Sequence, residues 1–291
     1  MLRSARVDVN DLGSIIGWLA GQWWAWAVVG VIVLIVVVLW LLPDAKVKPS
    51  DAYPTTGTEA NEIALGFLQI HNLPSGPWND PTASGLTDRE RKQLVDQWGI
   101  HSRDDWLANI ERLVEDRRRR DLWVSLLGVR AELARSLGRP PRTKEWVAGI
   151  IEAGGDKRTA KTFVAAVESI EHETRKTAGK GAVPADVIAT SFDGYAFGQA
   201  VALTTWGVHI GYGDVDEART IIRRVNDAAR PAFGSWAEFG LSYTVGRVMH
   251  WSDGNLTDKT FEKLGSSTAL DLGAALSEKR EGPWATLAWT R

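Results

Sequence analysis

An uninterrupted run of 20 uncharged residues, Trp23 to Leu42 (WWAWAVVGVIVLIVVVLWLL), constrains this chain more than any other feature. At 1.5 Å rise per residue it has the length an α-helix needs to cross the hydrocarbon of a bilayer. The uncharged stretch is longer still, from Leu12 to Pro43. A water-soluble helix is seldom apolar on every face for so many turns. The β-branched residues from Val31 to Val38 lower helix propensity in water, a penalty that counts for less in lipid, where each unpaired backbone group costs several kcal/mol. A cleaved signal peptide has a shorter apolar region, about 7–15 residues, ending in a small-x-small site. Here the run ends in Leu-Leu-Pro-Asp. Trp18, Trp23, Trp24 and Trp26 at one end and Trp40 near the other fit a partial interfacial belt. The expectation is a single transmembrane helix over residues 15–43, after a tail over 1–14. Arg3 and Arg6 before it balance Lys46 and Lys48 after it, so the positive-inside count does not orient it.

Beyond the span, the run from Asp44 to Gly57 is rich in Pro, Thr and Asp and reads as a tether. Ten of the fifteen Trp lie past residue 43, and rings of that size imply a packed core rather than a disordered tail. Thr87 with Glu90, Asp214 with Glu217 and Ser235 with Glu238 have the N-cap to N3 spacing of helix starts, and Ser102 with Asp105 is a looser version. The pattern predicts helices over 59–71, 87–99, 103–116, 120–137, 143–153, 157–178, 186–206, 214–230, 235–251 and 257–276. No alternating run is long enough to argue a sheet. The fold class expected is all-α, one transmembrane helix plus a compact multi-helix domain over 58–291, with TAGKGAVP (177–184) as a loop inside it.

The chemistry is less pointed. Net charge is −2, and the part after the span is nearly neutral, which argues against a nucleic-acid partner. There is no Cys, so disulfides, thiolate catalysis and Cys-based zinc sites are excluded. No P-loop, G-x-G-x-x-G or G-x-S-x-G occurs, and no cofactor is expected. Polar and aromatic residues are densest between Phe192 and Trp251. His209, Asp214, Asp216 and His250 with Asp253 offer metal-ligand chemistry. Asp214 and Glu217 already serve as cap and N3 residue of a helix, however, so no metal site is expected. Asp193, His209 and Arg247 are the candidates for acid–base work. Phe239, Tyr243 and Arg247 share a helix face, and an Arg there calls for a carboxylate such as Asp193 or Glu238. Trp206, Tyr212, Trp236 and Tyr243 are candidates for ligand or partner contact. Arg117, Arg118, Arg119 and Arg120 form a basic run that on a helix spreads around the axis as a solvated face. Beside anionic lipid it would add roughly 1 kcal/mol per residue toward headgroups.

Several of these segments resemble the bacterial DUF1266 family, a domain of unknown function. They are Trp98-Gly99-Ile100, Phe192-Asp193, Gly211-Tyr212, Ser235-Trp236 with Phe239, and Gly246-Arg247, within roughly residues 60–252. An Arg that the family carries shortly after the aromatic–Asp pair is Ala196 here. The resemblance implies a helical bacterial domain with no established activity. Its relatives often lack a signal sequence, which places the large domain on the cytoplasmic side of the inner membrane. The function expected is a membrane-anchored protein-interaction or regulatory module with an unidentified protein partner. The alternatives are a membrane-tethered enzyme using Asp193, His209 and Arg247, and a scaffold docked on lipid through Arg117–Arg120.

Overall fold

Helix starts encoded as cap and N3 pairs are where helices begin in the computed structural model, which describes residues 46–71, 76–257 and 259–290. Thr87 accepts from the Glu90 amide while the Glu90 carboxylate takes the Thr87 amide at 2.9 Å, opening a helix over Asp88–Trp98. The Ser102, Asp214 and Ser235 side chains each accept from the amide three residues on, without the return bond, and cap Arg103–Glu115, Val215–Ala229 and Trp236–Ser252. Each such cap is worth about 1 kcal/mol. Asp156 caps the long helix Lys157–Ala178 through the Thr159 amide.

In chain order the helices are α1 Gly57–Ile63, α2 Phe67–His71, α3 Asp88–Trp98, α4 Arg103–Glu115, α5 Asp121–Leu137, α6 Thr143–Glu152 and α7 Lys157–Ala178. They continue with α8 Asp193–Ile210, α9 Val215–Ala229, α10 Trp236–Ser252, α11 Thr260–Leu264, α12 Ser266–Ala275 and α13 Pro283–Thr286. No strand occurs among the described residues. The residues from Lys46 onward form one compact unit, so 177–184 is a connection within it.

The expected transmembrane helix is corrected. No helix among the described residues is long and apolar enough to cross a membrane, and the run Trp23–Leu42 lies outside those residues. The helix that is apolar on all sides is α8, and it lies at the centre of the helical unit. Every residue from Asp193 to Gly207 is buried, against α4, α9 and α10. Its polar groups are satisfied by protein: Thr204 and Thr205 donate to the Ala200 and Ala202 carbonyls, and Gln199 accepts from Arg118.

Close approach to α8 depends on small residues. A Cβ on Gly207 would stand 2.1 Å from the Trp106 ring, whose indole N–H donates to the Leu203 carbonyl at 2.8 Å. Other tryptophans fasten elements the same way, Trp146 to the Leu126 carbonyl, Trp236 to Leu287 and Trp284 to Ala64. A buried indole with its one donor satisfied contributes area without leaving a polar orphan.

The stretch read as a tether is seated on the unit. Val47 is buried and its amide donates to the Arg280 carbonyl, while the Asn79 side chain binds the Ser50 and Tyr53 carbonyls. Two helix boundaries also differ from the sequence pattern. α8 starts at Asp193 rather than 186, because Ala189 gives its amide to Glu171 and its carbonyl to Arg130 instead of to a helix ladder. The helix expected over 257–276 breaks into α11 and α12 at Gly265, where a Cβ would press on Phe261 and Val248.

Candidate functional site

The basic run Arg117–Arg120 is a turn between α4 and α5, and this sets the geometry of the most distinctive polar site. Arg117 and Arg118 both have φ of 51°, the left-handed region that costs a non-glycine residue about 1–2 kcal/mol. A helix would send successive guanidiniums about 100° apart. This turn instead sends Arg117 and Arg119 to one carboxylate on α8 and Arg118 further along the same helix.

Asp193, 4% exposed at the first position of α8, receives two of them. Arg119 grips both its oxygens, Nε to Oδ1 at 3.0 Å and Nη2 to Oδ2 at 2.5 Å, and Arg117 adds Nη1 to Oδ2 at 3.3 Å. The hydrogen bond to Asp193 raises the Arg119 pKa further. Arg118 turns the other way along α8. It donates to the Gln199 amide oxygen at 2.7 Å, meets His250 Nε2 at 3.2 Å, and lies 5.3 Å from the centre of the Trp98 ring. Burial lowers the Arg118 pKa, and burial together with Arg118 and Arg120 brings His250 down to about 4. His250 is therefore neutral near pH 7 and accepts from Arg118. Arg120 pairs with exposed Asp253 and stacks 4.1 Å from the Trp123 ring centre.

Beside this turn lies a cavity of about 290 Å³. All four arginines line it, with Trp123, Leu127, Ser191 and Phe192 among its walls, and Asp193 is the one carboxylate in its lining. The Asp193 amide is held by the Ser191 hydroxyl, and the Ser242 hydroxyl binds the Ser191 carbonyl. The solvated helical face expected of the run is thus replaced by a recessed cationic wall.

The other sequence candidates are placed elsewhere. His209 lies in the last turn of α8, about 24 Å along the axis from Asp193 at 1.5 Å per residue. Arg247 donates to the Leu264 carbonyl at 3.0 Å, not to Asp193 or Glu238; the Glu238 carboxylate holds the Gly234 amide. Asp193, His209 and Arg247 therefore do not form one acid–base site. Asp214 caps α9, and among the described residues no three His, Asp or Glu side chains gather as a metal would require. Of the aromatic candidates, Trp206, Trp236 and Tyr243 are buried. Trp236 stacks on Trp284 at 5.0 Å, and the Tyr243 hydroxyl donates to buried Gln69 at 2.5 Å. Tyr212 is half-buried, its hydroxyl on the Ile100 carbonyl. The residues missed by the sequence reading are Trp123, which follows the basic run closely but carries no signal of its own, and Ser191 and Gln199, which nothing in a single sequence ties to a basic run so far away.

A family described as "Protein of unknown function (DUF1266)" matches residues 93–289. That span starts later and ends later than the 60–252 implied by the resemblance, and it holds the arginine turn, Asp193 and His250. No curated protein and no solved structure matches the chain.

Proposed function

Because the chain belongs to the DUF1266 family, whose description names no activity, we propose its function from the site alone: a protein-interaction or regulatory module whose arginine-lined cavity receives an acidic group of a partner protein. One observation carries this reading. Four arginines line a cavity whose lining supplies a single carboxylate, Asp193. Four cations that meet only two carboxylates, Asp193 and Asp253, are electrostatically suited to capture a further anion from outside. The exposed apolar side chains Val124 and Trp251 stand beside the turn, on α5 and next to His250, and extend the contact a partner would make. The enzyme alternative draws less support, since His209 lies about 24 Å along α8 from Asp193 and Arg247 donates to the Leu264 carbonyl.

The test is a photoreactive residue in place of Val124 in the full-length chain, cross-linked in the cells that make it. A discrete protein adduct is expected, falling by about tenfold or more when Arg117 and Arg119 are both changed to Ala. No adduct, or an adduct indifferent to the arginines, would remove the reading.

A further inference from the structure

We propose that the acidic group this cavity takes is a phosphate monoester dianion on an amino-acid side chain of the partner, and that Asp193 is the internal anion it displaces. The inference rests on the partner-binding reading and adds the chemistry of what is bound.

Charge is the first argument. Arg117 and Arg119 share the Asp193 carboxylate, and Arg120 has Asp253 at the rim. Arg118 is met by an amide oxygen and an imidazole nitrogen, neither carrying negative charge at neutral pH. Four positive charges thus meet two negative ones. A partner's carboxylate would leave the site cationic; a phosphorylated side chain carries −1.5 to −2 at pH 7 with three acceptor oxygens.

Geometry is the second. Arg119 already presents its fork to two oxygens of one group, with Arg117 on the same oxygen, the bidentate arrangement that guanidinium offers to carboxylate and phosphate alike. Asp193 therefore occupies the place of a ligand anion. Arg117, which reaches it, and Arg118, which turns to Gln199 instead, are both held in left-handed backbone. Strain of that kind persists only where surrounding contacts over-determine it, and it concentrates at ligand clamps.

Size and access are the third. The cavity, about 290 Å³, is roughly twice the ~150 Å³ that accommodates a benzene ring, and Trp123 offers an apolar wall for the stem that carries the phosphate. A flat membrane surface is the less favoured source of phosphate. Headgroup docking needs cations that project outward, whereas Arg117 and Arg119, although Arg119 keeps 43% of its side chain exposed, both aim their guanidiniums at a buried carboxylate.

Calorimetry on the full-length chain decides the matter with phenyl phosphate and phenyl sulfate, which share a shape but differ by one charge. Phenyl phosphate is expected to bind about tenfold tighter than phenyl sulfate, to weaken about tenfold in Arg119→Gln, and to tighten in Asp193→Asn as the internal competitor is neutralised. Should Asp193→Asn fail to fold, the phosphate-to-sulfate ratio and Arg119→Gln still decide. Equal binding of the two probes, no effect of Arg119→Gln, or a folded Asp193→Asn that binds no tighter each overturns the proposal. Arg119-dependent binding to phosphatidate vesicles that phenyl phosphate does not displace also overturns it, in favour of a lipid. If phenyl phosphate fails while the Val124 adduct still depends on Arg117 and Arg119, the phosphate falls and the partner-binding reading survives.

Discussion

Two arginine–carboxylate clusters tie this helical unit together, one around Arg130 and Glu171, the other around Arg117–Arg120 and Asp193. In the first, both side chains are buried, at 2% and 3% exposure, and they meet bidentately at 2.6 and 3.0 Å. Arg130 stacks 4.3 Å from the Trp146 ring centre, and Ala189 gives its amide to Glu171 and its carbonyl to Arg130. Arg175 stands at the edge, 3.8 Å from Glu171. Nearly every polar atom is spoken for; Arg130 Nε alone has no hydrogen-bond partner. In the second, Arg117 and Arg119 hold one buried anion, Asp193, Arg118 meets only the neutral Gln199 and His250, Arg120 has exposed Asp253, and a cavity keeps the run within reach of solvent. A closed, balanced cluster fixes helices, because an ion pair taken out of water must be complete. A surplus of one sign around open space is suited to a ligand. The same residue types thus serve two ends, separated by access to solvent.

The largest expected effect breaks the closed cluster. Glu171→Gln leaves Arg130 buried without its counter-charge and should cost about 3–5 kcal/mol of stability, read from urea unfolding, with phenyl phosphate binding unchanged. A loss below about 1 kcal/mol would mean the two clusters are energetically alike. Asp193→Asn should cost less, about 1–2 kcal/mol, because its arginines can rehydrate through the cavity; the same urea experiment gives the contrast directly. The smallest effect sharpens the comparison through pH. His250 takes up its proton only near pH 4 in the fold, against an ordinary 6.5. The unfolded chain therefore binds the proton first on acidification. Stability contributed above about pH 6.5 should be lost as pH falls toward 4. Asp271, raised to about 6 by burial, acts in the opposite direction, its stabilisation present at low pH and lost as pH rises through 6. The informative quantity is thus the difference between the original chain and His250→Gln, whose melting temperature should fall less from pH 7 to pH 5. An identical fall in both would show that His250 does not feel the arginine turn.

Legibility followed the range of the interactions. Thr87 with Glu90 and Ser235 with Glu238 fix helix starts through atoms three residues apart, so α3 and α10 were predictable almost to the residue. The start of α8 was not, since the pass through Ala189 is held by Glu171 and Arg130, 18 and 59 residues away. Asp193 stood out in the sequence, but with Arg247 as its expected partner. The actual partners, Arg117 and Arg119, looked like a solvated helical face because nothing local announces a turn with Arg117 and Arg118 in left-handed backbone. Trp206, Trp236 and Tyr243 looked like contact residues because a one-dimensional pattern cannot distinguish an aromatic that lines a site from one that fills a core.

By itself the sequence determined the all-helical character of the unit after residue 45 and most of its helix boundaries. Those properties rest on capping, periodicity and bulky rings, which act over a few residues or through composition. Only the tertiary structure decided that a basic run becomes the wall of a cavity and that Asp193 answers it. A charge's role depends on which opposite charges lie within a few ångströms and on how much water lies between them, and chain order specifies neither.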